Sequence, residues 1–227
     1  MAGIRAFPSP RAIGYVPDVE DVPRETRWHE IVAVVVLSIT AVLTAWSGFE
    51  ASKWSGAMSI AFSQASAQRI EAARADGDAN AARGYDLNVF GVYVQAVAAG
   101  DERQATFVRD RFSPQLATAF AAWQATDPLT NPDAPKSPFA MDAYVVPGKA
   151  EAEAAGKRAD ALFDKALANN QRGDNYTLLT VLFALALFFT AVAGRMRTAQ
   201  LRWTVQVLAI VVLSVGIVLL ATFPVLV

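Results

Sequence analysis

The sequence contains no cysteine and a single histidine, His29. The first absence removes disulfides, thiolate nucleophiles and zinc–cysteine sites, without fixing a redox compartment. The second excludes a metal centre built on several histidines. Basic and acidic residues number 20 and 21, a net charge of −1, so no global field favours nucleic acid or an anionic surface. Also missing are a phosphate-binding loop, a dinucleotide fingerprint, a zinc-protease helix and a serine nucleophile elbow. These absences count against an enzyme. No catalytic residue, cofactor site or metal site is expected, and no nucleic-acid partner.

Charge is missing most completely from three runs. Residues 31–48, 177–194 and 204–227 hold no Asp, Glu, Lys, Arg or His. Each is near or above the roughly 20 helical residues that cross about 30 Å of hydrocarbon. Trp28, Trp46 and Trp54 bracket the first run as interfacial aromatics. Three transmembrane helices are therefore expected, over residues 29–48, 176–194 and 204–227. Spans without charge give no support to a proton relay or a charge-coupled transporter. Their hydroxyls, such as Thr40 and Thr190, should bond back to their own backbone, and Gln206 should tie helices together. Across 227 residues the hydrophobic share is 54% and the mean hydropathy +0.29, which suits a chain partly in lipid and partly in water.

Orientation follows from the short connections. The loop at residues 195–203 carries Arg195, Arg197 and Arg202 and no acid, which marks it as cytoplasmic. Arg24 and Arg27, just before the first span, agree. Residues 1–28 contain four of the eleven prolines, Pro8, Pro10, Pro17 and Pro23, and read as an extended cytoplasmic tail. The polar stretch before the first span argues for a signal anchor over a cleaved leader. Residues 49–175 and the C-terminus are then extracytoplasmic, which in a bacterial cell envelope is the periplasmic side of the inner membrane.

The outer segment reads as all-α. The first membrane helix should continue outward to about Ala75 and break at Asp76-Gly77-Asp78. A second helix should span residues 79–99, with Leu87, Phe90, Val94 and Val97 inward. A third, capped by Asp101, should run to about Ala125 with Phe107, Phe112, Leu116, Phe120 and Trp123 as core and a kink or break at Pro114. Five prolines among residues 126–148 rule out regular structure there, yet Phe139 and Tyr144 are apolar enough to dock that loop. From Lys149 an alanine-rich helix, packing through its alanines, runs into the second span. The sum is an antiparallel four-helix extracytoplasmic bundle continuous with the first two transmembrane helices.

Small side chains mark the start of that segment. Gly48, Ser52 and Gly56 form one line, and Ser47, Ala51, Ser55, Ser59 and Ser63 a second beside it, each at four-residue spacing. Such a strip admits another helix closely, and packing within the same chain is the expected use. Glu50 and Lys53, three apart, suit a helical ion pair. His29 reads as an interfacial anchor, and Asp127, Asp133 and Asp142 as solvated or turn-forming acids whose spacing fits no EF-hand.

Three passages together resemble a family of uncharacterised bacterial three-span membrane proteins with a helical extracytoplasmic domain: Ala45-Trp-Ser-Gly-Phe-Glu-Ala-Ser-Lys-Trp-Ser-Gly56, Asn131-Pro-Asp-Ala-Pro-Lys-Ser-Pro-Phe139 and Asn170-Gln-Arg-Gly-Asp-Asn-Tyr-Thr-Leu-Leu-Thr-Val-Leu-Phe183. The resemblance covers most of the chain after residue 30 and implies the architecture, with no activity attached. The leading functional reading is a non-catalytic structural or accessory subunit, held in the lipid bilayer and assembling as a homo-oligomer or with another membrane protein. Behind it stand an extracytoplasmic ligand-binding or sensing module and a homo-oligomeric channel with a hydroxyl-lined pore.

Overall fold

The computed structural model describes residues 24–226. The expected extended tail thus falls mostly outside the described residues, and its last part, from Arg24, is already helix. Arg24–Ala98 form one helix of 75 residues, α1. Glu102–Arg109 form α2, Pro114–Gln124 α3, Lys149–Ala193 α4 and Ala199–Thr222 α5. A single 3-10 turn, Pro138–Ala140, punctuates the proline-rich loop. Among the described residues there is no strand.

The break expected at residues 76–78 does not occur, so the second helix of the sequence reading is the far end of α1. A mid-helix glycine costs about 1 kcal/mol relative to alanine, a penalty that side-chain contacts can override. Asp76 accepts from Asn80 at 3.0 Å and from Lys149 at 2.9 Å, so it joins the helix to its neighbour instead of capping a new one. Pro114 does break the next helix. Asp101 caps α2 by accepting the Gln104 N–H at 2.9 Å, and Ser113 caps α3 through the Leu116 N–H at 3.2 Å.

Three helices are long and apolar enough to cross a membrane: α1 near its start, the latter part of α4, and α5. The chain divides into two compact units. The first takes α1 up to Trp46, α4 from Leu179, and α5. Its large apolar side chains point outward, Val42, Phe188 and Val218 being 69%, 59% and 65% exposed, while His29, Thr40, Thr190 and Gln206 are buried. That inside-out distribution suits lipid as the surrounding solvent. Thr40 donates to the Val36 carbonyl at 2.6 Å and Thr190 to that of Ala186 at 2.9 Å, so these hydroxyls are satisfied within their own turns. Gln206 behaves otherwise: neither amide atom has a hydrogen-bond partner among the described residues. A Cβ on Gly216 would lie 2.5 Å from the Phe183 ring, which is fully buried, so only glycine fits where α5 crosses α4.

The second unit is Ser47–Leu178 together with the residues from Phe223. Here α1 and α4 run antiparallel, as successive pairs show: Gly173 against Ala51 and Trp54, Phe163 edge-on to Phe62, Arg158 bonded to Gln68, Lys149 to Asp76. The packed face of α4 is alanine, with Ala152, Ala155, Ala159 and Ala166 all buried. Gly148 opens α4 at φ +81°, and a Cβ there would also sit 3.3 Å from the Ala75 carbonyl. The third span keeps the expected length of 24 residues but begins and ends five residues earlier than its hydropathy suggests. Helix α5 ends at Thr222, and the residues after it belong to the second unit.

Candidate functional site

Two faces of α1 in the second unit define what it can meet. Between residues 47 and 65 the buried positions are Ser47, Glu50, Trp54, Ala61 and Ala65, one stripe at helical spacing. Of the small-residue strip, Ser47 is buried and Ala51 half-buried. Gly48, Ser52, Ser55, Gly56, Ser59 and Ser63 are exposed. A Cβ on Gly48 or Gly56 would meet nothing within 4 Å. Packing within the chain therefore does not use most of the strip, which corrects the sequence expectation. The larger stripe wins because burying the Trp54 ring removes more apolar surface than burying glycine or serine could. The close glycine contact belongs to α4 instead: Gly173 would place a Cβ 3.6 Å from the Ala51 carbonyl and 3.7 Å from the Ser55 hydroxyl.

Glu50 and Lys53 do not pair with each other. Both hold the backbone of Leu226: the Glu50 carboxylate accepts its N–H at 3.0 Å, and the Lys53 ammonium donates to its carbonyl. Tyr176 donates to the Pro224 carbonyl at 3.2 Å and meets the Phe223 ring edge-on at 5.6 Å. Glu50 is only 1% exposed, and the Leu226 N–H supplies a hydrogen bond to its buried carboxylate. Sequence spacing alone suggested the helical pair, because the partner segment lies 176 residues away.

At the far end of α1 an unforeseen carboxylate organises the structure. Asp86 is fully buried and accepts from Ser113 at 2.6 Å, Gln115 at 3.0 Å and Tyr144 at 3.0 Å, joining α1, the start of α3 and the proline-rich loop. Burial and then the hydrogen bond to Asp86 push the Tyr144 hydroxyl up to about 12. Phe139 packs edge-on to Phe90 at 5.5 Å and to Tyr144 at 5.0 Å. Tyr93, Phe112, Phe120 and Trp123 extend this aromatic cluster, and the Trp123 indole donates to the Pro135 carbonyl at 2.6 Å.

Beside the cluster, Phe90, Tyr93, Phe120, Trp123 and Leu129 line a groove of about 450 Å³. Leu129 is 96% exposed at its lip. Of the positions expected inward, Leu87, Val94, Val97 and Phe107 are about half exposed. The face of α1 that turns inward is set by Asp86 and Phe90, and Arg111 covers Phe107 at 3.5 Å from its ring centroid. Asp127, Asp133 and Asp142 are exposed. Asp127 adopts φ +51°, and its carbonyl accepts the Asn131 N–H at 2.8 Å. Among the described residues no three His, Asp or Glu side chains gather as metal ligands.

His29 lies edge-on to Trp203, ring centroids 5.6 Å apart. Arg195 and Arg197 are exposed in the turn between α4 and α5, and Arg202 is half-buried on α5. Comparison with protein-family models, with curated proteins and with solved structures finds no match to this chain.

Proposed function

We propose that this protein is a non-catalytic subunit of a membrane assembly, joining a second copy of itself through the outward face of α1. One observation carries the reading. Gly48, Ser52, Gly56, Ser59 and Ser63 form an exposed strip on the side of α1 opposite Glu50, Trp54, Ala61 and Ala65. Small residues at this period let helix backbones approach to van der Waals contact, with a small loss of side-chain entropy. The arginine-rich turn and the resemblance to three-span bacterial proteins support a place in the inner membrane, with the second unit as an extracytoplasmic helical bundle.

Gly56→Leu tests the assembly. Nothing lies within 4 Å of a Cβ there, so the protomer should fold as well as the parent. Light scattering in mild detergent should show the parent as an oligomer and the variant as a monomer. An unchanged particle size would refute assembly through this face.

The aromatic groove favours a second reading, a binding module for a small apolar molecule, since its volume and lining match those of ordinary ligand sites. Val94→Trp would fill it, and loss of a small molecule that co-purifies with the parent would support that reading.

A further inference from the structure

Nearer the membrane, a second groove of about 350 Å³ runs between α1 and α4, lined by Trp54, Ile60, Gln64, Lys165, Asn169 and Arg172. Its chemistry is one-sided: two cations, two amides and no carboxylate. The Arg172 guanidinium lies 4.7 Å from the Trp54 ring centroid and makes one long hydrogen bond, 3.4 Å, to Asn169. Stacking fixes its plane and leaves other N–H groups free. Neither Arg172 nor Lys165 is in an ion pair among the described residues. Trp54 is 4% exposed, and its indole N–H is sealed from solvent with no hydrogen-bond partner among the described residues, so the residue meets the groove through its ring. Glu50, a turn before Trp54, accepts the Leu226 N–H, and Lys53 beside it donates to the Leu226 carbonyl.

We propose that this groove binds the phosphate of a net-anionic membrane phospholipid, whose headgroup brings no ammonium to oppose Lys165 and Arg172. Arginine matches phosphate oxygens with paired N–H donors, Lys165 adds a mobile charge, and the Trp54 ring holds the guanidinium in place. Position names the source. Trp54 follows Gly48, the end of the first span, by six residues, about 9 Å of helix rise, which is the outer edge of the headgroup layer. The choice of source rests on the membrane reading; the phosphate site itself does not.

The test uses the full-length protein, delipidated in dodecyl maltoside, with bound lipid counted by native mass spectrometry. Phosphatidylglycerol should bind about tenfold more tightly than zwitterionic phosphatidylcholine, and the Lys165→Gln/Arg172→Gln variant should lose about that factor. Lys165→Gln alone, an exposed change that leaves folding intact, should lose part of it. Glycerol 3-phosphate distinguishes the sources: failure to displace the lipid supports the headgroup, and displacement at low millimolar concentration assigns the site to a soluble phosphate. Equal binding of the two lipids, or binding unchanged in the double variant, would overturn the proposal.

Discussion

The Tyr144 hydroxyl donates to the buried Asp86 carboxylate at 3.0 Å, fastening the proline-rich loop to α1 across 58 residues of chain. A hydrogen bond to a charged acceptor contributes roughly 1.5–3 kcal/mol, so Tyr144→Phe should destabilise the second unit by about that amount while keeping the contact with Phe139. Denaturant unfolding followed by circular dichroism measures it. No loss of stability would mean the bond is dispensable.

The same bond predicts a pH dependence. Tyr144 holds its proton up to about 12 in the folded protein, against 10.0 for an ordinary tyrosine. Its contribution should be complete below about pH 10 and lost as pH rises through 12, because the unfolded chain ionises first. Spectrophotometric titration at alkaline pH should show one fewer late-titrating tyrosine in Tyr144→Phe than in the parent. Simultaneous titration of all tyrosines in the folded protein would contradict this.

Glu50→Ala should free the Leu226 N–H and loosen the segment from Phe223, while Lys53 keeps its contact with the Leu226 carbonyl. Hydrogen exchange of residues 223–226 should accelerate by an order of magnitude or more, with exchange in α3 unchanged. Equal exchange in parent and variant would show that Tyr176 and Phe223 suffice to hold the segment.

Two glycines should respond with opposite sign. Gly216→Ala drives a methyl into the Phe183 ring and should cost about 1–3 kcal/mol, whereas Gly77→Ala, with nothing within 4 Å, should stabilise α1 by up to about 1 kcal/mol. Thermal melts of both variants in the same detergent compare them directly. A harmless Gly216→Ala would mean that α5 does not pass so close to α4.

These contrasts show what the sequence could and could not convey. The membrane helices were legible because hydropathy is a local property of some twenty neighbouring residues. The alanine face of α4 and the Asp101 cap were legible for the same reason. Asp76-Gly77-Asp78 reads as a break because local propensity says so, whereas in the structure Asp76 bonds Asn80 within the helix and Lys149, 73 positions away. Asp86 was invisible because a lone acid in a helix is normally solvated. Its burial depends on three donors, two from around α3 and one from a loop 58 residues on. Glu50 and Lys53 sat at pairing distance in sequence, and a distant backbone segment outcompeted that pairing. The small-residue strip was legible as a surface, but which side of α1 would be buried depended on Trp54 and Arg172 stacking.

Topology is accessible through introduced cysteines, since the parent has none. On intact spheroplasts a membrane-impermeant thiol reagent should label Ser137→Cys and leave Thr198→Cys unlabelled. The reverse pattern would invert every compartment assigned from the arginine turn.

The central claim, that the outward face of α1 meets a second copy of this chain, is tested most directly by disulfide cross-linking in native membranes. Single cysteines at Ser52, Gly56 and Ser59 on the exposed strip are compared with one at Gln171, an exposed position on α4. A bridge requires Cα atoms within about 7 Å, so only a tightly packed helix pair can form it. The account predicts dimer bands at strip positions on mild oxidation and none at Gln171→Cys. Monomer at all strip positions, or equal cross-linking at Gln171→Cys, would contradict it.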